Sequence, residues 1–457
     1  MSKHVITRWE PENPDFWQSE GKAIARRNLW LSIPALLLAF SVWVLWSMLV
    51  VNLPNIGFKY TPNQLFWLTA LPALSGATLR IFYSFMVPIF GGRKWTALST
   101  ATLLIPAIGI GFAVRDPATS YITMLVLALL CGLGGGNFSS SMANISFFFP
   151  KAEKGTALGL NAGLGNLGVS VMQFVVPMVI SAGVFGALGG DSQTWVKGTV
   201  QKQIWLQNAG FIWVPFIILT TLTAWFGMND LATAKSSFAD QAVIFKRKHN
   251  WLMCWLYIGT FGSFIGFAAG FPLLIKGQFP SVDPSKYAFW GPLVGAAARP
   301  VGGWISDKLG GARVTQWVFV LMVAAVLGVI SFLPQGGVGG SFDGFFAMFL
   351  CLFALTGIGN GSTFMQVPVI FLTFHQRLNP KNETQSRLDA TREAAAVLGF
   401  SGAIGAYGGF FIPKSFGTSI DLTGGVNAAL YAFIVFYLSC LVINWFFYAR
   451  KGAEVPC

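Results

Sequence analysis

The sequence predicts an all-α, polytopic membrane protein whose twelve spans form two six-helix halves. Three observations carry this. The 457 residues are 54% hydrophobic and only 10% charged, with a mean hydropathy of +0.61, whereas soluble domains carry roughly 25% charged residues. Apolar runs of bilayer-crossing length, about 20 residues, recur along nearly the whole chain. Motifs in the first six runs return, in the same order, in the second six.

A soluble core cannot absorb this much apolar sequence, because large soluble chains divide into domains with polar surfaces. The first 28 residues are polar and include Trp9-Glu10-Pro11-Glu12-Asn13-Pro14, so they read as a cytoplasmic segment ahead of a retained first helix. The spans follow as Leu29–Val51, Gln64–Phe90, Trp95–Ala113, Tyr121–Phe147, Thr156–Ile180 and Ala209–Phe226. The second set is Trp251–Ile275, Tyr287–Ile305, Val314–Leu333, Phe345–Phe374, Ala394–Phe416 and Val426–Tyr448. The expected organisation is an N-terminal segment (1–28), a first half (29–229), a linker (230–250), a second half (251–449) and a tail (450–457).

The formal net charge of +13 would suggest nucleic acid in a soluble protein. Here it reads as topology. With a cytoplasmic N-terminus, the inside segments hold 21 of the 30 Lys and Arg, the outside segments hold 7, and the remaining two are Arg80 and Arg299. That bias places both termini in the cytoplasm. The five cysteines form no disulfide framework or metal spacing, and the 17 Trp and 43 Phe suit interfacial belts and lipid-facing surface.

The repeat is specific. Gly76-Ala77-Thr78-Leu79-Arg80 is followed eleven residues on by Gly91-Gly92, and Gly295-Ala296-Ala297-Ala298-Arg299 eleven residues on by Gly310-Gly311. Gly134-x-Gly136-Asn137 answers Gly357-x-Gly359-Asn360, and Leu158-Gly159, Ala162, Gly165 and Gly168 answer Leu398-Gly399, Gly402, Gly405 and Gly408. Such a pseudo-two-fold suggests a transporter with its site between the halves.

Arg80 and Arg299 sit deep in apolar runs. A mid-bilayer arginine costs at least about 2.5–3.5 kcal/mol on insertion scales and stays charged. A structural arginine would pair with a buried carboxylate, but all 17 acidic residues fall in loops or at span ends, and His4, His249 and His375 lie outside the spans. Two such cations call for a mobile anion, and guanidinium forks match planar oxyanions. The lack of a membrane-embedded acid or histidine favours exchange over proton coupling, unless Asp307 or Glu393 carries the proton. Glycines such as Gly163, Gly165, Gly405 and Gly408 serve close helix packing or leave bare backbone along the site, with Asn161 or Asn166 as a hydrogen-bond donor. Phe138, Tyr257 and Phe261 are candidate lining aromatics, with lipid contact as the default. Gly303-x-x-x-Asp307-Lys308-x-Gly310-Gly311-x-Arg313 is either an ordinary cytoplasmic turn or a gating loop. No phosphate loop, metal-ligand spacing or nucleophile elbow is present, so no cofactor or catalysis is expected.

That last motif resembles the loop between helices two and three of each half in the major facilitator superfamily, with a degenerate first copy in which Pro88 replaces the Asp before Gly91-Gly92-Arg93-Lys94. The whole chain resembles that superfamily's nitrate/nitrite porter family. The resemblance rests on Ser84–Arg93, on Asn144-Ile145-Ser146-Phe147-Phe148-Phe149-Pro150, and on two glycine-rich signatures, Gly159–Ser170 and Gly405–Pro413. It implies the superfamily fold and transport of nitrate and nitrite across a bacterial inner membrane. It also implies that Arg80 and Arg299 bind the anion, Asn166 hydrogen-bonds it, Phe138 and Phe261 flank it, and Tyr257 adds a polar aromatic. Ala162 stands where the signature usually has glycine, which points to a changed packing distance. Exchange is the leading expectation, by a monomer in the bilayer with no nucleic-acid partner. Proton–nitrate symport, an anion channel or sensor, and a carrier of another oxyanion remain the alternatives.

Overall fold

The structure, a computed structural model, describes residues 4–234, 242–334 and 339–457. Helices dominate because a bilayer offers no partner to an open N–H or C=O, and a helix pairs its own. Eleven described helices are long and apolar enough to cross a membrane: α1 (Pro14–Leu49), α2 (Pro62–Tyr83), α3 (Gly92–Ala113), α4 (Tyr121–Phe148), α5 (Lys151–Ile180), α6 (Asn208–Gly227), α7 (Lys248–Gln278), α9 (Gly311–Phe332), α10 (Phe342–Leu378), α11 (Glu383–Thr423) and α12 (Asn427–Ala449). The remaining predicted span is a 20-residue helix, α8 (Trp290–Leu309), whose apolar character is diluted by Arg299, Asp307, Lys308 and its glycines.

Boundaries differ from the expected ones for local reasons. The second predicted span ran to Phe90, but α2 stops at Tyr83 and a short helix, Met86–Phe90, follows. Pro88 cannot continue a helix through Ser84 without a clash. Pro106 interrupts α3 four residues earlier, at Thr102–Leu103, in the same way. α11 begins eleven residues before the predicted Ala394, so Glu393 lies within a helix rather than at its edge. His375, expected outside the spans, belongs to α10, whose 37 residues outrun a bilayer. His249 likewise lies in the first turn of α7.

Four short strands accompany the helices among the described residues. β1 (Val5–Ile6) pairs in parallel with β4 (Asp230–Leu231), and β2 (Gln193–Lys197) pairs antiparallel with β3 (Val200–Ile204) in a hairpin between α5 and α6. Part of the expected linker, 235–241 with Lys235, lies outside the described residues, as do residues 1–3 with Lys3.

The chain forms two compact units, Met1–Ser236 with Ala268–Leu273 and Asp283–Phe289, and Ser237–Phe267 with Leu274–Val282 and Trp290–Cys457. In the first, the polar N-terminal segment is docked: Trp9 Nε1 donates to the Phe147 carbonyl (3.1 Å) and Trp17 Nε1 to Glu153 (2.9 Å). Both indoles are buried in a cluster with Ile145, Phe148 and Phe149. Asp230 occupies the N-terminus of α3, accepting from the Arg93 amide (2.8 Å) and pairing with the Arg93 side chain (3.2 Å). An acid from beyond α6 thus serves the loop whose own Asp is replaced by Pro88.

In the second unit the tail is docked as well. Ala453 and Val455 are buried, Glu454 pairs with Lys248 (2.6 Å), and the Ala312 amide donates to the Cys457 carbonyl (3.3 Å). The two glycine loops share one backbone: Gly91 and Gly310 both have φ of 89°, where a Cβ is strained. α2 packs along α4 in the first unit, and α8 along α10 in the second. These contacts are backbone-close. A Cβ on Gly135 would lie 2.8 Å from Gly76 Cα, and one on Gly357 would lie 2.1 Å from the Gly295 carbonyl oxygen.

Candidate functional site

Each unit brings one of the two apolar-run arginines to a helix that packs against its glycine-rich partner. In the first unit Arg80 is fully buried on α2. Its Nε donates to the Gly135 carbonyl on α4 at 2.8 Å. Its Cζ lies 4.7 Å from the Phe138 ring centroid and 4.9 Å from that of Trp43 on α1. Arg80 and Phe138 are therefore in contact, and Trp43 joins them. Phe40 meets both rings edge-on, 5.5 Å from Trp43 and 6.1 Å from Phe138. Asn166, on α5, is buried with an Oδ1 that has no hydrogen-bond partner among the described residues. Burying a polar oxygen without a partner costs on the order of 1–3 kcal/mol, so this oxygen suits a water or another donor, and only the amide N–H of Asn166 could serve an anion.

In the second unit Arg299, on α8, is half-buried, and its Nη1 has no hydrogen-bond partner among the described residues. The nearest aromatic face is Phe364, 5.6 Å from Cζ. Tyr257 and Phe261 stack on each other at 5.5 Å with 24° between planes. Phe261 lies in a π-helical segment, Ile258–Gly262, a rare insertion frequent at functional sites. Gly405 is why Tyr257 fits, since a Cβ there would stand 2.7 Å from the ring.

The other predicted glycines divide. Gly165 packs against Leu36 (2.6 Å from a built Cβ) and Gly408 against Gly262 Cα (2.4 Å), whereas Gly163 faces open space, as do Gly155 and Gly159 on the same helix. In the glycine loop, Gly311 is buried while Asp307 and Arg313 are exposed and make no ion pair among the described residues.

Two described carboxylates are buried: Asp230 lies beyond the end of α6, as expected of an acid outside the spans, whereas Glu393 lies inside a helix rather than at a span end. Asp230 is 6% exposed and paired with Arg93 as above, and Glu393 is 8% exposed. Glu393 pairs with Arg247 at 2.6 Å and stands 3.3 Å from His375 Nε2. Both are satisfied by cations other than Arg80 and Arg299. Trp43, Phe364 and the π segment were not singled out from sequence, because aromatics are too common here to mark one, and a π insertion leaves no simple pattern.

This arrangement defines a polytopic helical membrane protein with an uncompensated guanidinium edge. Residues 35–413 match the family model described as Major Facilitator Superfamily. A bacterial homologue of the human lysosomal transporter Spinster shares the fold, with a TM-score of 0.63 at 15% identity, covering 91% of this chain and 95% of that one.

The chain is 52% identical to the nitrate/nitrite transporter NarU of Salmonella typhimurium over 98% of its length and 97% of that protein's, and 52% identical to NarU of Escherichia coli with the same coverage. It is 45% identical to the probable nitrate/nitrite antiporter NarK2 of Thermus thermophilus, over 99% of this chain and 98% of that one. The chain belongs to the major facilitator superfamily and, within it, to the nitrate/nitrite porter family.

Proposed function

We propose that this protein exchanges nitrate for nitrite by alternating access, with Arg80 and Arg299 as its anion-binding cations. One observation carries the reading: Arg80, fully buried, and Arg299, half-buried, stand at matching positions of a repeated motif in a chain 52% identical to nitrate/nitrite transporters. A guanidinium offers a planar fork of N–H donors that pairs edge to edge with a planar oxyanion. Asn166 contributes a hydrogen bond through its amide, Phe138 and Phe261 offer ring faces to the flat anion, and Tyr257 supplies a hydroxyl. Asp307, Gly310, Gly311 and Arg313 form a gating loop. The protein is a carrier rather than an enzyme, works as a monomer without a cofactor, and lies in a bacterial inner membrane with both termini cytoplasmic, as the 21-to-7 split of Lys and Arg supports.

Exchange follows from electrostatics. Guanidinium cannot discharge itself by losing a proton. Two such charges in low-dielectric surroundings resist reorientation until an anion neutralises them, and nitrate or nitrite serves equally. A second reading, proton-coupled uptake, draws on buried Glu393 beside His375. The test is labelled-nitrate uptake by purified protein in liposomes, empty or loaded with nitrite, with and without an imposed pH gradient. Exchange predicts uptake that requires internal nitrite, ignores the gradient and keeps its KM in Glu393→Gln. Gradient-driven uptake into empty vesicles, abolished in Glu393→Gln, would establish symport instead. No nitrate uptake by folded protein would overturn both.

A further inference from the structure

We propose that Trp43 is a positioning residue that fixes the Arg80 guanidinium for the anion, an inference that rests on Arg80 being an anion ligand. The indole is pinned to the helix it serves. Its Nε1 donates to the Pro72 carbonyl of α2 at 2.7 Å, eight residues before Arg80, and the ring is 1% exposed. Its face lies 4.9 Å from Arg80 Cζ, within reach of a cation–π attraction that strengthens when water is excluded.

Two glycines are explained by this ring, Gly76 of the arginine motif and Gly135, the variable position between Gly134 and Gly136. A Cβ on Gly76 would stand 2.6 Å from Trp43 Nε1, and one on Gly135 would stand 2.6 Å from Cε2. α2 and α4 are thus trimmed to admit an indole where the arginine emerges. The Gly135 carbonyl also takes Arg80 Nε. Ring contact and that hydrogen bond together limit rotation of the guanidinium plane and direct its terminal nitrogens.

The second half lacks the device. Phe264, on α7, fills the space at Gly295 as Trp43, on α1, fills it at Gly76, a built Cβ on Gly295 lying 2.7 Å from its ring. Phenylalanine has no N–H with which to anchor itself, and the ring near Arg299 is Phe364, at 5.6 Å. Trp43 therefore makes Arg80 the pre-set cation of the pair. Pre-setting a ligand contact raises affinity by removing an ordering cost.

The experiment compares nitrate KM and maximal exchange rate per folded transporter in wild type, Trp43→Leu, Trp43→Phe, Arg80→Lys and the Trp43→Leu/Arg80→Lys double variant. Trp43→Leu is expected to raise KM about tenfold with the maximal rate within about twofold. Trp43→Phe, which keeps a ring and loses the anchor, is expected to raise KM about threefold. In the Arg80→Lys background, Trp43→Leu is expected to add less than about twofold, because its effect runs through the guanidinium. A merely structural tryptophan would lower thermal stability or rate with KM unmoved, or give the same KM penalty in both backgrounds; either result overturns the proposal. If Trp43→Leu does not fold, an unchanged KM in Trp43→Phe overturns it. Unchanged KM in Arg80→Lys would instead remove the Arg80 assignment on which the proposal rests.

Discussion

Arg299 tests the proposed site most directly, because its Nη1 lacks a hydrogen-bond partner among the described residues. Lysine keeps the charge and loses the fork. Arg299→Lys is expected to weaken nitrate binding roughly 10- to 100-fold, the range for losing a hydrogen bond to a charged group, measured as an equilibrium Kd on purified protein. An unchanged Kd would remove Arg299 from the site.

A second residue-scale effect sits at the tail. The Lys248 ammonium, hydrogen-bonded to Glu454, holds that carboxyl below its ordinary value of 4.5, with smaller help from nearby His249 and Arg377. A depressed carboxyl contributes stability above the unfolded-state value and loses it as pH falls through the lower folded value. The side chain is 44% exposed, so solvent screening keeps the contribution under about 1 kcal/mol. Glu454→Gln is expected to lower Tm at neutral pH by roughly 1–2 °C and to narrow its gap from wild type below pH 4.5. A constant gap across that window would show the pair contributes nothing. The two arginines were legible in the sequence, since a permanent charge inside an apolar run has few explanations. Trp43 was not, because one tryptophan among 17 looks like any other. Only its distances to Arg80 and the Pro72 carbonyl distinguish it.

Among the helices, glycine decides how closely neighbours approach. Gly165 lets α5 meet α1, with Leu36 2.6 Å from the position of a Cβ. Gly165→Val is expected to cost about 1–3 kcal/mol through overpacking, read as a lower melting midpoint and reduced yield of folded protein. Gly163→Val on the same helix serves as control, since its Cβ meets nothing within 4 Å. Equal effects would show the glycines to be governed by helix propensity instead. The existence of the spans was legible because hydropathy speaks loudly over 20 residues. Their ends were not: α11 reaches back to Glu383 through polar residues that helix propensity and tertiary pairing sustain, with Glu393 held by Arg247. The break between Tyr83 and Met86 was foreshadowed by Pro88.

At the scale of the whole molecule, internal duplication is the organising fact, and its traces reach the backbone. Gly91 and Gly310 share one positive φ, and the α2–α4 and α8–α10 pairs repeat one mode of contact. That symmetry was visible in sequence because glycine at a close crossing cannot be replaced cheaply. The aromatic surroundings of the two arginines do not follow it: Trp43 and Phe138 attend Arg80, while Phe364 attends Arg299. The duplicated scaffold thus holds its two arginines in different aromatic surroundings.

The open face of α5 has a practical consequence. Gly155, Gly159 and Gly163 recur every fourth residue, and a Cβ on any of them meets nothing within 4 Å. Each can accept a cysteine without disturbing its neighbours, so the row forms a ladder of attachment points for thiol reagents or paramagnetic labels. Cys131, Cys254 and Cys440 are buried, which leaves Cys351 and Cys457 to be removed first. Labelling rates along that ladder, with nitrate, with nitrite and with neither, would record when water reaches each rung and so time the carrier's cycle from a single helix.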